Sequence, residues 1–162
     1  MATTTVWTRV DSPVGELVLV GDRGGALSAV GSPDSPKGFP VDPAWERDDR
    51  PFGEAVRQLA EYFAGERTRF ELPYLPTGSE FRRRVWAALE TIPYGETTTY
   101  GAVAASIGAP RAAVRAVGGA IGANPLQVIR PCHRVIGADG SLTGYAGGLE
   151  RKRRLLEREG AL

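Results

Sequence analysis

The sequence predicts an α+β protein with two domains, a small sheet domain over residues 1–76 and a mostly helical domain over residues 77–162. β-rich runs separated by proline and glycine turns occur in the first part, whereas segments with apolar residues at helical spacing fill the second. Pro73, Pro76 and Gly78 interrupt both patterns and mark the boundary. A chain of 162 residues, 42% of them hydrophobic, buries a core without needing a metal or a disulfide.

The first domain is predicted to be a β-meander followed by one helix. Residues 31–50 contain four prolines and are predicted to form a loop. Apolar residues then recur at helical spacing from Phe52 to Phe63, and Gly65 ends the helix. Because no residue of this domain carries a chemical signature, we expect it to be a scaffold. The predicted strands cover residues 5–11, 16–21 and 26–30.

The second domain is predicted to contain a helix-turn-helix. Ser79 is a good N-cap for a first helix, which ends before Pro93. Thr99 is predicted to cap a second helix over residues 100–107, and a three-residue turn with glycine leads to a third helix over residues 111–121. A further helix, rich in charged residues, is predicted near the end of the chain.

Charge is segregated along the chain although its net charge is only +1. Residues 1–76 hold 8 Lys and Arg against 12 Asp and Glu, whereas residues 77–162 hold 12 against 7. A basic second half indicates a polyanionic partner such as nucleic acid. An ordinary solvated surface with uneven charge is the alternative.

The predicted helix over residues 111–121 consists mainly of small side chains, and Arg111 and Arg115 are its only long polar residues. Such a helix offers few groups that read base edges in the major groove. It can instead approach the minor groove and bind DNA without sequence preference. The alternative is an Ala/Gly helix packed tightly against a neighbouring element.

The composition excludes several kinds of site. A single cysteine excludes an intramolecular disulfide, and Cys132 with His133 cannot supply a four-ligand zinc site, so we expect no metal. Residues 1–9 lack a signal-peptide pattern, and no apolar run reaches the ~18 residues of a membrane helix. We therefore expect an intracellular protein without a membrane partner.

The only cysteine of the chain stands next to its only histidine, in Pro131-Cys132-His133-Arg134. A free thiol is mostly protonated at neutral pH, so a neighbouring base favours the reactive thiolate. The alternative is a buried structural cysteine beside a hydrogen-bonded histidine. Side chains that are adjacent in a strand diverge, so neighbours in the chain need not touch.

Several motifs surround this pair in a characteristic order: Ile92-Pro93-Tyr94-Gly95-Glu96-Thr97, Arg115-Ala116-Val117-Gly118, Asn124-Pro125, Pro131-Cys132-His133-Arg134-Val135-Ile136-Gly137 and Gly144-Tyr145-Ala146-Gly147-Gly148. With these motifs the chain resembles the O6-alkylguanine-DNA alkyltransferases, also called methylated-DNA–protein-cysteine methyltransferases. The resemblance is dense over residues 79–159 and weaker over 1–76, where that family has a ribonuclease H-like sheet domain.

The resemblance implies direct-reversal DNA repair in a single turnover. A winged-helix-like helix-turn-helix would bind double-stranded DNA through the minor groove without sequence specificity, and the damaged guanine would be flipped out of the stack. The alkyl group of O6-alkylguanine, and of O4-alkylthymine, would pass irreversibly to the cysteine. The family implies no cofactor, a monomer, and a cytoplasmic or nucleoid-associated location.

The resemblance also implies which residues carry the reaction. Cys132 would be the nucleophile, His133 the base that deprotonates it through a water, and Glu159 the carboxylate that orients and charges the imidazole. Asn124 would tie the helix-turn-helix to the active-site strand, and Lys152 would stabilise the departing guanine. Without the resemblance, Glu159 and Lys152 read as solvated residues of a charged helix over residues 149–159.

On the DNA side, Tyr100 would donate to guanine N3 and crowd the neighbouring phosphate. Arg115 would fill the gap left by the flipped base, with Arg111 as the alternative. Tyr145 and Ala146 belong to a glycine-rich segment whose backbone can approach a flat base closely.

Three features depart from the family pattern. The segment between Pro110 and Arg115 is one residue longer than usual, and an extra residue inside a helix would rotate what precedes it by about 100°. Arg130 stands where an apolar residue usually precedes Pro-Cys, and Gln127 lies in the segment that lines the alkyl pocket; both bear on the acceptance of bulky adducts. The Cys-rich zinc-binding elements of some relatives are absent from this sequence.

Other classes of protein fit the sequence less well. A non-catalytic alkyltransferase-like protein that binds the lesion is the main alternative, but such proteins lack the nucleophilic cysteine. A helix-turn-helix transcription factor needs long base-reading side chains, and a thiol hydrolase would turn over many times.

Overall fold

The computed structural model describes residues 4–162, which divide into two compact units. The first ends at Pro76 and the second begins at Thr77. Among the described residues, the first unit contains a four-stranded sheet and one α-helix, and the second contains four α-helices and a short two-stranded ladder. The predicted α+β class is therefore confirmed.

The sheet of the first unit has the strand order β3-β2-β1-β4. The predicted meander is confirmed, because β1 pairs antiparallel with β2 and β2 with β3. The predicted loop over residues 31–50 is wrong at one point, since two of its residues form β4 parallel to β1. Both β4 residues are exposed and polar, so no apolar alternation marks them as a strand. The strands are β1 (Thr5–Val10), β2 (Leu17–Asp22), β3 (Leu27–Gly31) and β4 (Glu46–Arg47).

Helix α1 (Gly53–Phe63) follows a 3-10 turn at Arg50–Phe52, so the predicted helix begins one residue later than expected. Its buried face includes Gln58, whose amide donates to the carbonyl of Glu71 at 3.0 Å and accepts from the amide nitrogen of Glu71 at 2.9 Å. A buried polar side chain that satisfies both its donor and its acceptor in this way fixes the following loop at little cost.

The second unit begins with the two capped helices that the sequence predicts. The side chain of Ser79 accepts a hydrogen bond from the amide of Arg82 at 3.2 Å, and Thr99 accepts one from Ala102 at 3.1 Å. These side chains satisfy amides that a helix N-terminus leaves without partners. The elements are α2 (Glu80–Leu89), β5 (Thr98–Thr99), α3 (Tyr100–Ser106), α4 (Val114–Gly122), β6 (Val135–Ile136) and α5 (Leu149–Arg158).

The predicted third helix, over residues 111–121, is wrong at its start. Arg111–Ala113 is a 3-10 turn, and the α-helix begins only at Val114. Gly108, at φ +71°, turns the chain between α3 and this 3-10 segment in a conformation that suits glycine. The segment between Pro110 and Arg115, which is one residue longer than the family pattern, thus includes this tighter 3-10 turn. From Val114 onward the α-helix is regular.

Helices α2, α3 and α4 pack around one core. The indole nitrogen of Trp86 in α2 donates to the carbonyl of Ala120 in α4 at 2.8 Å, which locks these two helices together. Cys132 and Val135 belong to the same core. The cysteine is therefore held by the packed interior of the helical unit and not by a loose surface loop.

Candidate active site around Cys132

Cys132 is buried, with 7% of its surface exposed, and it opens a 3-10 turn at Cys132–Arg134. The cysteine precedes the strand of this site, because β6 begins only at Val135. The amide of Cys132 donates to the carbonyl of Arg130 at 2.8 Å. Pro131 precedes the turn and fixes its entry, since proline has a restricted φ.

Burial raises the pKa of the Cys132 thiol above its ordinary value. A hydrogen bond from Asn124 and the positive charges of Lys152 and Arg130 oppose this effect in part. A charged thiolate loses much hydration in such a place, so the resting thiol is neutral. The site therefore needs a base before the sulfur can attack.

His133 supplies a neutral imidazole next to the cysteine in the chain. Its side chain is fully buried, and Nε2 donates to the Glu159 carboxylate at 2.7 Å. Among the described residues, Nδ1 has no hydrogen-bond partner. Burial lowers the pKa of His133, while Glu159 partly opposes the shift. With the ring proton on Nε2, the Nδ1 lone pair is available to accept a proton.

Glu159 is held by a second residue, Arg134, whose role the sequence did not reveal. The guanidinium donates from Nε to one carboxylate oxygen at 2.8 Å and from Nη2 to the other at 3.1 Å. Nη1 donates to the carbonyl of Ile92 at 2.6 Å. This bidentate pair balances the buried negative charge. The only signal in the sequence was that Arg134 follows the histidine directly.

The burial of Glu159 overturns its interpretation as a solvated residue. It lies just after α5, and its amide donates to the carbonyl of Leu155 at 3.1 Å. The hydroxyl of Tyr94 donates to the carbonyl of Arg158 at 3.3 Å. The end of α5 and the segment around Tyr94 are thus joined where the carboxylate reaches His133.

Asn124 is buried at the end of α4 and binds the chain that leads to the cysteine. Its Nδ2 donates to the carbonyl of Arg130 at 3.1 Å, and its Oδ1 accepts from the amide of Leu126 at 3.1 Å. Its side chain therefore spans the turn that connects α4 with the Cys132 segment. In that turn Val128 has φ +70°, a strained conformation for a β-branched residue.

Lys152 is fully buried, which overturns its interpretation as one cation of a solvated run. Its ammonium donates to the carbonyls of Val135 and Thr143, each at 2.6 Å, and more weakly to Gly144 at 3.4 Å. Burial lowers the pKa of Lys152 to about 8, so it remains mostly protonated at neutral pH. The three carbonyls make it the anchor between α5 and the loop over residues 143–144.

Tyr100 begins α3 and reaches the same loop. Its hydroxyl donates to the carbonyl of Thr143 at 3.2 Å, so Tyr100 and Lys152 share one acceptor. Its ring lies beside Gly118 of α4, 3.7 Å from where a Cβ would stand. The structure therefore brings Tyr100, α4 and Lys152 to one place.

The glycine-rich segment packs closely at Gly147. A Cβ there would lie 2.7 Å from the ring of Tyr145 and 2.8 Å from the amide oxygen of Gln127, so only glycine fits without rearrangement. The Tyr145 ring is half-buried, and burial raises the pKa of its hydroxyl well above the ordinary value. Ala146 is exposed.

The two candidate DNA-contacting arginines lie apart from this cluster. Arg115 is exposed in the first turn of α4, and Arg111 is exposed in the 3-10 turn before it. The structure brings neither of them into hydrogen-bond contact with the residues around Cys132. Within residues 4–162, no group of three or more His, Cys, Asp or Glu side chains is arranged to hold a metal ion. Over the same span, none of the helices has both the length and the apolar character needed to cross a membrane.

Comparisons with known proteins agree along the whole chain. The family described as 6-O-methylguanine DNA methyltransferase matches with its ribonuclease-like domain over residues 5–76 and with its DNA binding domain over residues 80–161. A methylated-DNA–protein-cysteine methyltransferase of Mycolicibacterium paratuberculosis is 54% identical over 150 residues, which cover 93% of this chain and 89% of the relative. The enzyme of the same name from Methanosarcina acetivorans is 50% identical, over 93% and 96% of the two chains.

A solved structure leads to the same conclusion. The crystal structure of Mycobacterium tuberculosis OGT in complex with DNA superposes with a TM-score of 0.88 at 49% identity, covering 96% of this chain and 93% of that one. Both domain models match, and relatives of about half identity span nearly the full length. The chain therefore belongs to the 6-O-methylguanine DNA methyltransferase family.

Proposed function

We propose that this protein repairs alkylated DNA by transferring the alkyl group of O6-alkylguanine, and of O4-alkylthymine, to the sulfur of Cys132. The observation that carries the proposal is the buried Cys132 thiol next in the chain to a neutral His133, whose Nε2 is held by Glu159 and whose Nδ1 is open. This arrangement can convert the thiol to a thiolate that attacks the alkyl carbon.

The transfer begins when the Cys132 proton passes, through one water, to Nδ1 of His133. The thiolate attacks the alkyl carbon, a C–S bond forms, and the carbon–oxygen bond breaks with its electron pair left on the guanine. The Tyr100 hydroxyl turns from the Thr143 carbonyl to donate a hydrogen bond to guanine N3, and the departing guanine anion then takes up a proton from water. Because the thiolate is a poor leaving group from a thioether, the alkyl group stays on Cys132 and each protein molecule reacts once.

The residues around the imidazole support this proton transfer. Glu159 faces both His133 and Arg134, so the imidazolium formed during the reaction lies beside a carboxylate already oriented by two N–H groups. The preorganised carboxylate need not reorient as charge develops. Burial lowers the pKa of His133, and the positive charge of Arg134 acts in the same direction, so the resting ring is neutral.

Lys152 and Tyr100 form the other side of the proposed site. Both donate to the carbonyl of Thr143, and the protonated Lys152 holds this loop while adding positive charge near the leaving group. A positive charge beside a departing anion lowers the barrier to its release. Tyr145 and Ala146 border the proposed base pocket with their backbone.

DNA is the macromolecular partner, and we propose that the minor groove meets the helix-turn-helix of α3 and α4 without sequence readout. Residues 77–162 hold 12 Lys and Arg against 7 Asp and Glu, so their net charge is positive, and α4 consists mainly of small side chains. The first unit acts as a scaffold, with the domain boundary after residue 76. We further propose a monomer in the cytoplasm, associated with the nucleoid in a bacterial cell.

A non-catalytic lesion-binding protein is not favoured. The nucleophile that such a protein lacks is present at Cys132, and the relatives of about half identity are named as transferases.

The experiment that tests the proposal is intact-mass measurement after incubation with DNA that contains O6-methylguanine. We expect the mass of one methyl group per protein molecule, located on Cys132, and no further turnover with excess DNA. Release of many equivalents of repaired guanine per protein would contradict the single-turnover mechanism.

The two exposed arginines near the start of α4 are expected to differ in function. Helix α4 is regular from Val114 to Gly118, and Gly118 lies beside the ring of Tyr100. We therefore propose Arg115 as the side chain that enters the base stack. Arg115→Ala should slow the reaction with duplex DNA but leave the reaction with free O6-alkylguanine base nearly unchanged, since a free base needs no flipping. Single-turnover rates at saturating substrate measure this.

Arg111→Ala is the matched control for Arg115. It removes an equal charge from the preceding 3-10 turn, and we expect weaker, salt-dependent DNA binding with an unchanged rate at saturation. If the defect specific to duplex DNA belongs to Arg111 instead, the proposed position of α4 on the DNA is wrong by about one turn.

A further inference from the structure

Arg130 has no role in the proposed mechanism, although it lies only two residues before Cys132. Its side chain is only 11% exposed. A guanidinium is costly to bury unless its donors are paired, so its surroundings are informative.

The Arg130 guanidinium is held on several sides. It lies over the ring of Trp86, 5.1 Å from the ring centroid, and its Nε donates to Glu90 at 3.5 Å. Its Nη1 donates to Oδ1 of Asn124 at 3.3 Å. Arg130 therefore connects α2 with the side chain that spans the turn before the cysteine.

The contact with Asn124 fixes which way its amide faces. Oδ1 accepts from two donors, the amide of Leu126 at 3.1 Å and the Arg130 guanidinium at 3.3 Å. Nδ2 then donates to the Arg130 carbonyl at 3.1 Å, and this same carbonyl accepts from the amide of Cys132 at 2.8 Å. In a flipped amide the side-chain oxygen would face the Arg130 carbonyl, so that two acceptors would meet without a donor between them.

We propose that Arg130 is a positioning residue for Cys132: its guanidinium fixes the orientation of the Asn124 amide behind the cysteine, so that this amide and the nearby positive charge both favour the thiolate. The consequence for repair rests on the proposed function, because only an attacking thiolate gains from it. The chemical step is the loss of the thiol proton to the base already described.

The electrostatic surroundings of the sulfur agree with this role. Burial raises the pKa of Cys132, and Asn124, Lys152 and Arg130 each act in the opposite direction. Two other titratable groups border the site, the His133 ring and the Tyr145 hydroxyl, both of them neutral at neutral pH. Glu90, the acidic partner of Arg130, is 42% exposed, so solvent screens its charge.

The test is the rate of Cys132 alkylation by iodoacetamide as a function of pH, followed by intact mass. Because Cys132 is the only cysteine of the chain, the mass change reports this thiol alone. Arg130→Leu should move the rising part of the profile to higher pH and slow alkylation near neutral pH by roughly 3- to 10-fold, the effect of a pKa change of about half to one. Arg130→Lys, which keeps the charge, should recover part of the loss.

Arg154→Leu is the matched control, since it removes an equal charge from an exposed position of α5 that pairs with Glu150. Its profile should match that of the wild type. Thermal unfolding identifies folded variants, and if Arg130→Leu does not fold, the comparison of Arg130→Lys with wild type decides. A wild-type profile in a folded Arg130→Leu variant would overturn the inference, and so would a wild-type profile in Arg130→Lys if Arg130→Leu does not fold.

Iodoacetamide needs no DNA, so this experiment separates the two proposals. A shifted profile together with no methyl transfer in the wild type would leave the role of Arg130 standing and refute the repair function. Methyl transfer in the wild type together with an unshifted Arg130→Leu profile would do the reverse.

Discussion

Cys132→Ser is expected to abolish methyl transfer completely while leaving DNA binding intact. A serine hydroxyl ionises far less readily than a thiol, and burial at this position already opposes the ionisation of cysteine. Neutral His133 cannot offset such a difference, and an alcohol attacks an alkyl carbon poorly. Intact mass after prolonged incubation with O6-methylguanine DNA measures transfer, and fluorescence anisotropy with the same duplex measures binding.

The comparison is clean because serine is close to cysteine in size and the chain has no other cysteine. Thermal unfolding of Cys132→Ser checks that the core shared with Trp86 and Val135 stays packed. Any methyl group retained on the folded variant would mean that another residue is the acceptor, and the proposed mechanism would then be wrong.

Glu159→Gln is expected to slow transfer on the order of 10²-fold, by analogy with general-base contributions. The carboxylate charge compensates the imidazolium that forms on His133, and a neutral amide keeps a hydrogen bond without the charge. The variant also leaves Arg134 as a buried cation without its partner. Breaking a buried pair in this way costs about 3–5 kcal/mol of folding stability.

A second variant separates chemistry from stability. Glu159→Gln combined with Arg134→Met removes both buried charges, so it should regain part of the stability lost in Glu159→Gln. Its transfer rate should nevertheless stay low, because the imidazolium still lacks a carboxylate. Single-turnover rates well below the unfolding temperature provide the measurement. Rates equal to the wild type in both variants would show that Glu159 serves only the fold.

The local features of this protein could be predicted from its sequence because they depend on neighbours in the chain. Ser79 and Thr99 cap helices through amides three residues away, and β-rich runs around short turns predict the meander. The adjacency of Cys132 and His133 is itself a fact of the sequence. These patterns and the surrounding motifs were sufficient for the fold class and the family.

The sequence does not predict secondary structure correctly where the apolar residues show no strand or helix periodicity, or where a 3-10 turn precedes an α-helix. The two exposed residues of β4 form a strand only because β1 offers them an open edge. The 3-10 turn at Arg111–Ala113 resembles a helix in sequence and differs only in how tightly it winds.

Only the tertiary structure determines which charged residues are buried around the proposed active site. In the sequence, Lys152 in α5 and Glu159 just after it are two charged residues among many, and Arg134 is one more arginine. Packing places all three in the interior, where each must find partners far along the chain: Arg134 meets Glu159, and Lys152 meets the carbonyl of Val135. The sequence by itself thus predicted the helices and proposed Cys132 as the nucleophile with His133 as its neighbouring base. Only the fold decided which charges face them, because desolvation and ion pairing depend on three-dimensional contact and not on distance along the chain.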